Sequence, residues 1–286
     1  MRLCHLSDLH FGHHDTTVAD ALAADIIAAA PDLVVVSGDF TQVGTEREFI
    51  AARAFLDALQ LPILAVPGNH DVPARNVLRR LLNPYRSYRR HISPELEPML
   101  ELDGVVIAGI KTSRRARAEL NWAHGSISKG QLRRLEARLE GTDPDALRIV
   151  VAHHPLIQPE GDVQKPMRLV RRADLALQTF ARLGVRLVLS GHFHLSYARS
   201  HGQIPAEDAP TGLTRSAAAP ILVAQAGSAV STRLRGGANG YNVIDIADRQ
   251  VTLTVREWDG AAWQTREREQ AVTPPGPAVA SVGTAV

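Results

Sequence analysis

The chain has 286 residues, of which 45% are hydrophobic and 22% charged, and these are ordinary proportions for a soluble globular protein with a large core. No apolar run approaches the roughly 20 residues needed to cross a bilayer, which argues against a membrane partner. The formal net charge of +2 is too small to indicate a nucleic-acid surface, although the pI of 8.9 permits local basic patches.

The cysteine content and the first residues of the chain both indicate the cellular compartment in which the protein is expected. Cys4 is the only cysteine, so an internal disulfide is excluded and a reducing environment is favoured. A predicted strand at residues 2–7 begins almost at once, with no apolar signal-peptide core before it. We therefore expect a cytoplasmic protein.

The first part of the chain alternates predicted strands and helices. Three apolar runs read as buried strands, at residues 2–7, 33–37 and 62–66. Two stretches with helical spacing separate them, at residues 16–30 and 45–59. Thr45 and Glu48 have the spacing of a capping box at the start of the second helix. This order predicts right-handed crossovers and a parallel sheet.

The pattern of residues 72–98 does not predict further strands of that sheet. A helix is predicted from Pro73 to about Leu82, and an aromatic and basic stretch follows it as far as Pro98. We interpret residues 72–98 as a candidate lid or cap.

The middle of the chain adds a hairpin and further strands and helices. Asp103-Gly104 between apolar runs is a strong hairpin signal, so the sheet is expected to become antiparallel there. Predicted strands lie at residues 99–102, 105–110, 149–152 and 185–190, and predicted helices at 128–139 and 172–183.

From residue 195 the pattern consists of strands without helices. They are predicted at residues 197–201, 220–225, 241–246, 251–258 and 263–267. We interpret this half as an antiparallel sheet that completes the core behind the first. The expected fold is therefore α/β (α+β mixed), a four-layer αββα sandwich of two mixed sheets flanked by helices.

One domain is predicted over residues 1–272. The last stretch, 273–286, carries no charge and is rich in proline, glycine and alanine, so we expect a flexible tail or a segment laid across a neighbour. This tail and the stretch after residue 72 are compatible with a homodimer.

Five polar segments follow predicted strands. They are Asp8-Leu9-His10, Gly38-Asp39, Gly68-Asn69-His70-Asp71, His153-His154-Pro155 and Gly191-His192-Phe193-His194. The carboxyl ends of parallel strands meet at one edge of a sheet, so these segments should converge there. Seven aspartate, asparagine and histidine side chains can hold two divalent cations and still leave positions open for water and substrate. The pattern predicts a hydrolytic binuclear metal site at the strand ends.

The spacing inside two segments supports the same interpretation. Alternate residues at an extended strand end point the same way. Asp8 with His10, and His192 with His194, would then each aim two ligands at one place. Taken singly, each of these side chains could equally be a polar cap on a loop or helix.

The five segments, in this order, resemble the calcineurin-like metallophosphoesterase superfamily over residues 3–194, with every block intact. Later residues also resemble the end of bacterial class III cyclic nucleotide phosphodiesterases and their relatives. These are Gly227-Ser228, residues 231–235 and Tyr241-Asn242. The resemblance implies a metal-dependent phosphoric ester hydrolase.

The resemblance also implies a ligand set. It assigns the first metal to Asp8, His10, Asp39 and His194, and the second to Asp39, Asn69, His153 and His192. Asp39 would then bridge the two ions, which are iron, manganese or zinc. His153 is the ligand by the family pattern, although a single sequence could equally select His154.

By the same resemblance, the expected reaction is attack of a metal-bound hydroxide on phosphorus. His70 would stabilise the phosphoryl oxygens or protonate the leaving alkoxide, and Asp71 would orient its ring. Asn69, His13 and His124 are candidate substrate contacts.

Differences from the motifs of related enzymes limit the classes of substrate that we expect. Serine/threonine protein phosphatases carry Gly-Asp-x-Val-Asp-Arg-Gly, whereas this chain has Gly38-Asp39-Phe40-Thr41-Gln42, and Asp71 stands where they have glutamate. We expect a small-molecule phosphodiester of the cyclic nucleotide or glycerophosphodiester type. A phosphomonoesterase, a nuclease and a non-catalytic scaffold remain as alternatives.

Overall fold

The structure is a computed structural model and describes residues 1–114, 124–159, 167–202, 220–234 and 236–272. Twelve strands lie in these ranges: β1 (Arg2–Leu6), β2 (Leu33–Val36), β3 (Ile63–Ala65), β4 (Met99–Leu102), β5 (Val105–Ile110), β6 (Leu147–Ala152), β7 (Val185–Ser190), β8 (Tyr197–His201), β9 (Ile221–Gln225), β10 (Gly240–Ala247), β11 (Gln250–Trp258) and β12 (Trp263–Val272). Six helices lie in them: α1 (Thr16–Ala29), α2 (Glu46–Leu59), α3 (Val77–Leu82), α4 (Arg86–His91), α5 (Lys129–Glu140) and α6 (Ala173–Arg182). The predicted tail falls outside the described residues.

The strands form two sheets of six. The first has the order β12-β11-β10-β1-β2-β3, with β1 to β3 parallel and β10 to β12 antiparallel. The second has the order β4-β5-β6-β7-β9-β8, in which only the edge strands β4 and β8 run antiparallel to their neighbours. Both sheets are mixed, as predicted.

Three apolar clusters lie between the four layers formed by the sheets and helices. Alternate strand residues such as Leu3 and Ile149 fill the space between the sheets. Cys4 and other residues on the outer face of the first sheet pack against α1 and α2, and the outer face of the second sheet packs against α5 and α6. The αββα sandwich is therefore confirmed. The capping box of α2 is also present, with Thr45 and Glu48 each accepting from the other's backbone N–H.

The prediction of one antiparallel sheet after residue 195 is wrong. Strands β8 and β9 belong to the second sheet, where β9 runs parallel to β7, whereas β10 to β12 extend the first sheet beside β1. Strand periodicity reports which face is buried but not which distant strand is the neighbour.

The helix predicted from Pro73 begins later. Asn76 caps α3 by accepting a hydrogen bond at 2.8 Å from the backbone N–H of Arg79, so the helix starts at Val77. The aromatic and basic stretch lies outside both sheets, as predicted, and Tyr88 of α4 is fully buried against Phe40. A lid role for residues 72–98 stays a prediction.

Within the described ranges, no helix combines the length and apolar character needed to span a membrane.

Candidate metal centre

Backbone hydrogen bonds tie the loop after β1 to the loop after β2, and the loop after β7 to the loop after β6, while the side chains of Asp8 and His153 join the two pairs. The N–H of Asp8 donates to the carbonyl of Gly38, and the N–H of His10 donates to that of Asp39, both at 3.0 Å. The N–H of Gly191 donates to the carbonyl of His153, also at 3.0 Å. The structure therefore brings the predicted segments to one edge of the sandwich.

A first group of ligand atoms comes from Asp8, His10 and His194. The Nε2 atoms of the two histidines are 3.1 Å apart, and Asp8 Oδ1 lies 3.2 Å from that of His194 and 3.5 Å from that of His10. All three side chains are buried, and Asp8 Oδ1 accepts no hydrogen bond from the described residues. Two ligands bound to one ion at about 2.1 Å are separated by about 3 Å, so these donors fit a metal ion.

The Nδ1 atoms of three predicted ligand histidines donate to backbone carbonyls. The pairs are His10 with Thr41 (3.3 Å), His153 with Ser37 (2.9 Å) and His194 with Arg233 (2.9 Å). A carbonyl can only accept, so each Nδ1 carries a proton, and in the neutral form of each ring it is Nε2 that has the lone pair for a metal. This is the usual way in which a protein prepares histidine to bind a metal.

A second group comes from Asp39, Asn69 and His153. His153 Nε2 lies 3.1 Å from Asn69 Oδ1 and 3.2 Å from Asp39 Oδ2. The same Asp39 oxygen is 3.9 Å from His10 Nε2 in the first group. One carboxylate oxygen therefore stands between both groups.

His192 lies beside the second group. Its ring centroid is 5.2 Å from that of His153 and 4.6 Å from that of His154, and these three histidines could together face one ion. Nδ1 of His154 is hydrogen-bonded to Thr112 Oγ1 at 2.7 Å. Of the two adjacent histidines, His153 is the one whose Nε2 lies 3.2 Å from Asp39 Oδ2, and its choice as the ligand stays a prediction.

The charges in the centre stabilise one another. Burial opposes ionisation of Asp39, but His153, His70 and His10 hold the pKa of its carboxyl well below its usual range. Burial likewise opposes the imidazolium of His153, yet Asp39 raises the pKa of that ring to about 9. A metal ion at His153 must displace this proton, so metal affinity should fall with decreasing pH.

Five of the predicted ligands have left-handed backbone conformations. Their φ angles are 52° for Asp8, 48° for His10, 56° for Asp39, 76° for His192 and 59° for His194. Non-glycine residues rarely adopt this region, which is strained by on the order of 1 kcal/mol each. Asp8 and His10 do meet in the first group, as expected, but the explanation by alternation along an extended strand is wrong for this pair and for His192 with His194. Sharp backbone turns after the strands direct these side chains.

Close backbone approach in the centre requires glycine. A Cβ on Gly191 would lie 1.7 Å from Ser7 Oγ and 2.5 Å from Asp8 Oδ2. A Cβ on Gly68 would lie 2.0 Å from Asp39 Oδ1 and 2.4 Å from its backbone nitrogen. Glycine in these segments thus leaves room for the carboxylates.

Gly191→Ala should lower the free energy of unfolding of the metal-free protein by about 1 to 3 kcal/mol, because the added methyl displaces Ser7 and Asp8. Thermal and urea unfolding measure the change. Gly130→Ala is the matched control, since the nearest atom to its Cβ is 3.7 Å away and alanine favours the helix. Equal stability of the two variants would contradict this steric account.

His70 occupies the edge of the centre. Its backbone N–H donates to Asp39 Oδ1 at 2.8 Å, and its Nδ1 donates to the carbonyl of Gln42 at 2.6 Å. Its ring meets that of His10 edge-on, with centroids 4.8 Å apart. Because Gln42 engages Nδ1, Nε2 is the nitrogen of the His70 ring that could contact a substrate.

Asp71 serves a different purpose from the one predicted. Its carboxylate accepts hydrogen bonds from the backbone N–H groups of Gly68, Asp39 and Thr41 at 2.8 to 3.1 Å. The prediction that it orients the ring of His70 is wrong, because its oxygens are directed back toward the loops. Burial and the charge of Asp39 raise the pKa of Asp71 to about 7. Asp71 joins the loops after β2 and β3.

The two further substrate candidates lie outside the ligand groups found among the described residues. His13 is exposed, and its carbonyl accepts from the N–H of Thr232 at 2.9 Å. His124 is half-buried next to Gly125, whose added Cβ would lie 2.4 Å from the ring of His154. Substrate contact by His13, by His124 and by Asn69 stays a prediction.

Some supporting contacts were not anticipated from the sequence. Ser7 Oγ and the N–H of His192 both donate to Asp8 Oδ2, at 2.6 and 2.7 Å. Ser228 Oγ donates to the carbonyl of Asp8 at 2.7 Å. The resemblance around Gly227-Ser228 was the only signal for this last contact, and the carbonyls that orient the histidines have no residue signature.

Comparison with known proteins agrees with this architecture. The sequence model of the calcineurin-like phosphoesterase family matches residues 1–196. A probable cyclic nucleotide phosphodiesterase of Synechococcus sp. is 25% identical over 212 residues, which are 71% of this chain and 76% of that protein. The glycerophosphodiester phosphodiesterase GpdQ of Enterobacter lignolyticus is 30% identical over 57% of this chain, and the match spans 60% of that relative's length, less than two thirds.

Among solved structures, a dimetal phosphatase from Danio rerio has a TM-score of 0.66 at 14% identity, with 96% of this chain and 99% of that chain covered. At this identity the likeness shows the fold alone. The family match covers well over half of the 286 residues and includes all five ligand-bearing segments. The chain therefore belongs to the calcineurin-like phosphoesterase family.

Proposed function

We propose that this protein is a binuclear metal-dependent phosphodiesterase that hydrolyses small phosphodiesters of the cyclic nucleotide or glycerophosphodiester type. The observation that carries the proposal is the position of Asp39 Oδ2, 3.2 Å from His153 Nε2 and 3.9 Å from His10 Nε2. A carboxylate shared between two donor groups supports two adjacent ions better than one. The names of the two curated relatives support a diester substrate.

The proposed ligands divide between two sites. Asp8, His10, Asp39 and His194 would hold one ion, and Asp39, Asn69, His153 and His192 the other. Bound there, two cations lower the pKa of water and neutralise charge on a phosphoryl group. The mixed nitrogen and oxygen set suits iron, manganese or zinc.

The remaining side chains act on the substrate or on the loops. His70, held through Nδ1 by Gln42, presents Nε2, which when protonated donates to a phosphoryl oxygen or to the leaving alkoxide. Asp71 is a positioning residue, because it holds the loop that carries Asp39. The nucleophile in this proposal is water, since the acidic, amide and imidazole side chains are already assigned as ligands or donors.

Diester specificity can be measured directly on the purified protein. We expect kcat/KM for bis(p-nitrophenyl) phosphate to exceed that for p-nitrophenyl phosphate by about tenfold or more, because the site would be shaped for a singly charged diester. Asp39→Asn protein purified in parallel controls for contaminating phosphatases. A preference for the monoester would favour the phosphomonoesterase alternative.

The natural substrate class requires a second comparison. Cyclic AMP and glycerophosphodiesters should be hydrolysed by the same preparation, whereas long single-stranded DNA should not. Cleavage of DNA with both small diesters inert would favour the nuclease alternative. The homodimer, the cytoplasmic location and the single domain over residues 1–272 also stay predictions.

A further inference from the structure

Helix α3 exposes its apolar side chains to solvent. Val77, Leu78, Leu81 and Leu82 are 56%, 69%, 45% and 75% exposed. Their spacing places them on one face of the helix. Arg80 on the same helix is buried, and its Nη1 donates to the carbonyl of Pro73 at 3.1 Å. Folding alone favours the opposite arrangement, so this stripe indicates an interaction surface.

The surroundings of the stripe are basic. Residues 72–94 contain six arginines and neither aspartate nor glutamate. Arg75 precedes α3, and Arg86 and Arg89 follow it within α4, and all three are exposed. Arg90 instead pairs with Glu46 at 2.9 Å. The aliphatic stripe thus has exposed positive charge in the chain on both sides.

We propose that the α3 stripe, residues 77, 78, 81 and 82, docks on an anionic lipid membrane surface. The aliphatic side chains would enter the headgroup boundary, and the flanking arginines would contact lipid phosphates. A lipid surface would accommodate both features of the segment at once. This proposal departs from the expectation of no membrane partner, which rested only on the lack of a run long enough to cross a bilayer.

Two other occupants each leave one feature unexplained. A second copy packed on the same face would set arginines against arginines, with no carboxylate in residues 72–94 to pair with them. A nucleic acid would pair with the arginines but leave the leucines in water. The proposal does not depend on the phosphodiesterase function.

Docking would also bring the metal centre close to the membrane. Val77 is only seven residues after His70, and the N–H of Ala74 donates to the carbonyl of Val43 at 3.0 Å, which ties the intervening chain to the loop after β2. Seven extended residues span at most about 25 Å. Phosphodiesters near a lipid surface would then be within reach of the same molecule.

Vesicle co-sedimentation of the full-length protein tests the proposal. We expect binding to vesicles of phosphatidylcholine with about one third phosphatidylglycerol at low salt, little binding to phosphatidylcholine alone, and weaker binding at high salt. Leu78→Gln with Leu82→Gln should lower the partition coefficient about tenfold or more. Replacing Arg75 and Arg86 by glutamine should lower it about fivefold for each arginine.

Matched control substitutions distinguish binding through the α3 stripe from nonspecific binding of exposed apolar or basic side chains to vesicles. Ile27→Gln and Ile50→Gln remove apolar side chains that are 52% and 55% exposed on α1 and α2, and Arg133→Gln removes an exposed arginine from α5. These controls should bind vesicles as the natural sequence does. All variants should keep the natural circular dichroism and rate of diester hydrolysis in solution.

Three results would overturn the proposal. They are equal binding to neutral and anionic vesicles, control variants that lose binding as strongly as the α3 variants, and no binding of the natural sequence to anionic vesicles. If the last result came with a dimer that Leu78→Gln and Leu82→Gln dissociate in sedimentation velocity, a second copy would be the occupant.

Discussion

Asp39→Asn is expected to lower kcat/KM for bis(p-nitrophenyl) phosphate by on the order of a thousandfold and to reduce the bound metal from two ions per chain to one or none. The amide has no negative charge, and Asp39 Oδ2 is the oxygen that stands between His153 and His10. Steady-state kinetics measure the first effect. Elemental analysis measures the second and identifies whether iron, manganese or zinc is present.

The control for this substitution is Asp57→Asn, which removes an exposed carboxylate that pairs with Arg53 and should leave both quantities unchanged. An unchanged rate in Asp39→Asn, or a natural-sequence protein that binds no metal after reconstitution, would contradict the binuclear centre. Either result would revive the non-catalytic scaffold.

His70→Asn is expected to lower kcat for the diester by about a hundredfold to a thousandfold while both metal ions remain bound. The hydrogen bond from His70 to the proposed ligand Asp39 uses the backbone N–H of His70, and His70→Asn keeps that bond. Kinetics and elemental analysis on the same sample separate this outcome from that of Asp39→Asn. His201→Asn, at an exposed histidine on β8, is the control.

The leaving group distinguishes the two roles of His70. If its Nε2 protonates the leaving alkoxide, the loss should be larger for an alkyl ester than for a p-nitrophenyl ester, whose leaving group needs no proton. If it stabilises the phosphoryl oxygens, the loss should be similar for both. Loss of metal in His70→Asn would show instead that the histidine supports the ligands.

Neither experiment depends on parts of the fold that were misassigned from the sequence. The late strands were placed in one sheet, although β8 and β9 pair in the second sheet and β10 to β12 in the first. Apolar alternation marks a strand, but the choice of neighbour depends on contacts between residues far apart in the chain. The metal centre is insensitive to this error, because its five segments follow β1, β2, β3, β6 and β7.

The candidate metal centre was predicted from the types of residue at the strand ends, whereas the backbone conformations of its loops were seen only in the structure. Aspartate, asparagine and histidine gathered at several strand ends indicate a metal because their oxygen and nitrogen atoms are the ligands that such ions prefer. The left-handed conformations of Asp8 and His194, and the turn of Asp71 toward the backbone of Gly68, depend on the surrounding loops.

The family resemblance, the alternating elements, the candidate ligands and the expectation of hydrolysis all follow from the amino-acid sequence, because they depend on which side chains are present and where strands end. Three features appear only in the folded chain: Asp39 stands between two donor groups, His153 faces Asp39, and the carbonyl of Gln42 accepts from the ring of His70. These features depend on distances of a few ångströms between loops joined through backbone carbonyls and N–H groups, which nearly every residue type possesses and which leave no signature in the sequence.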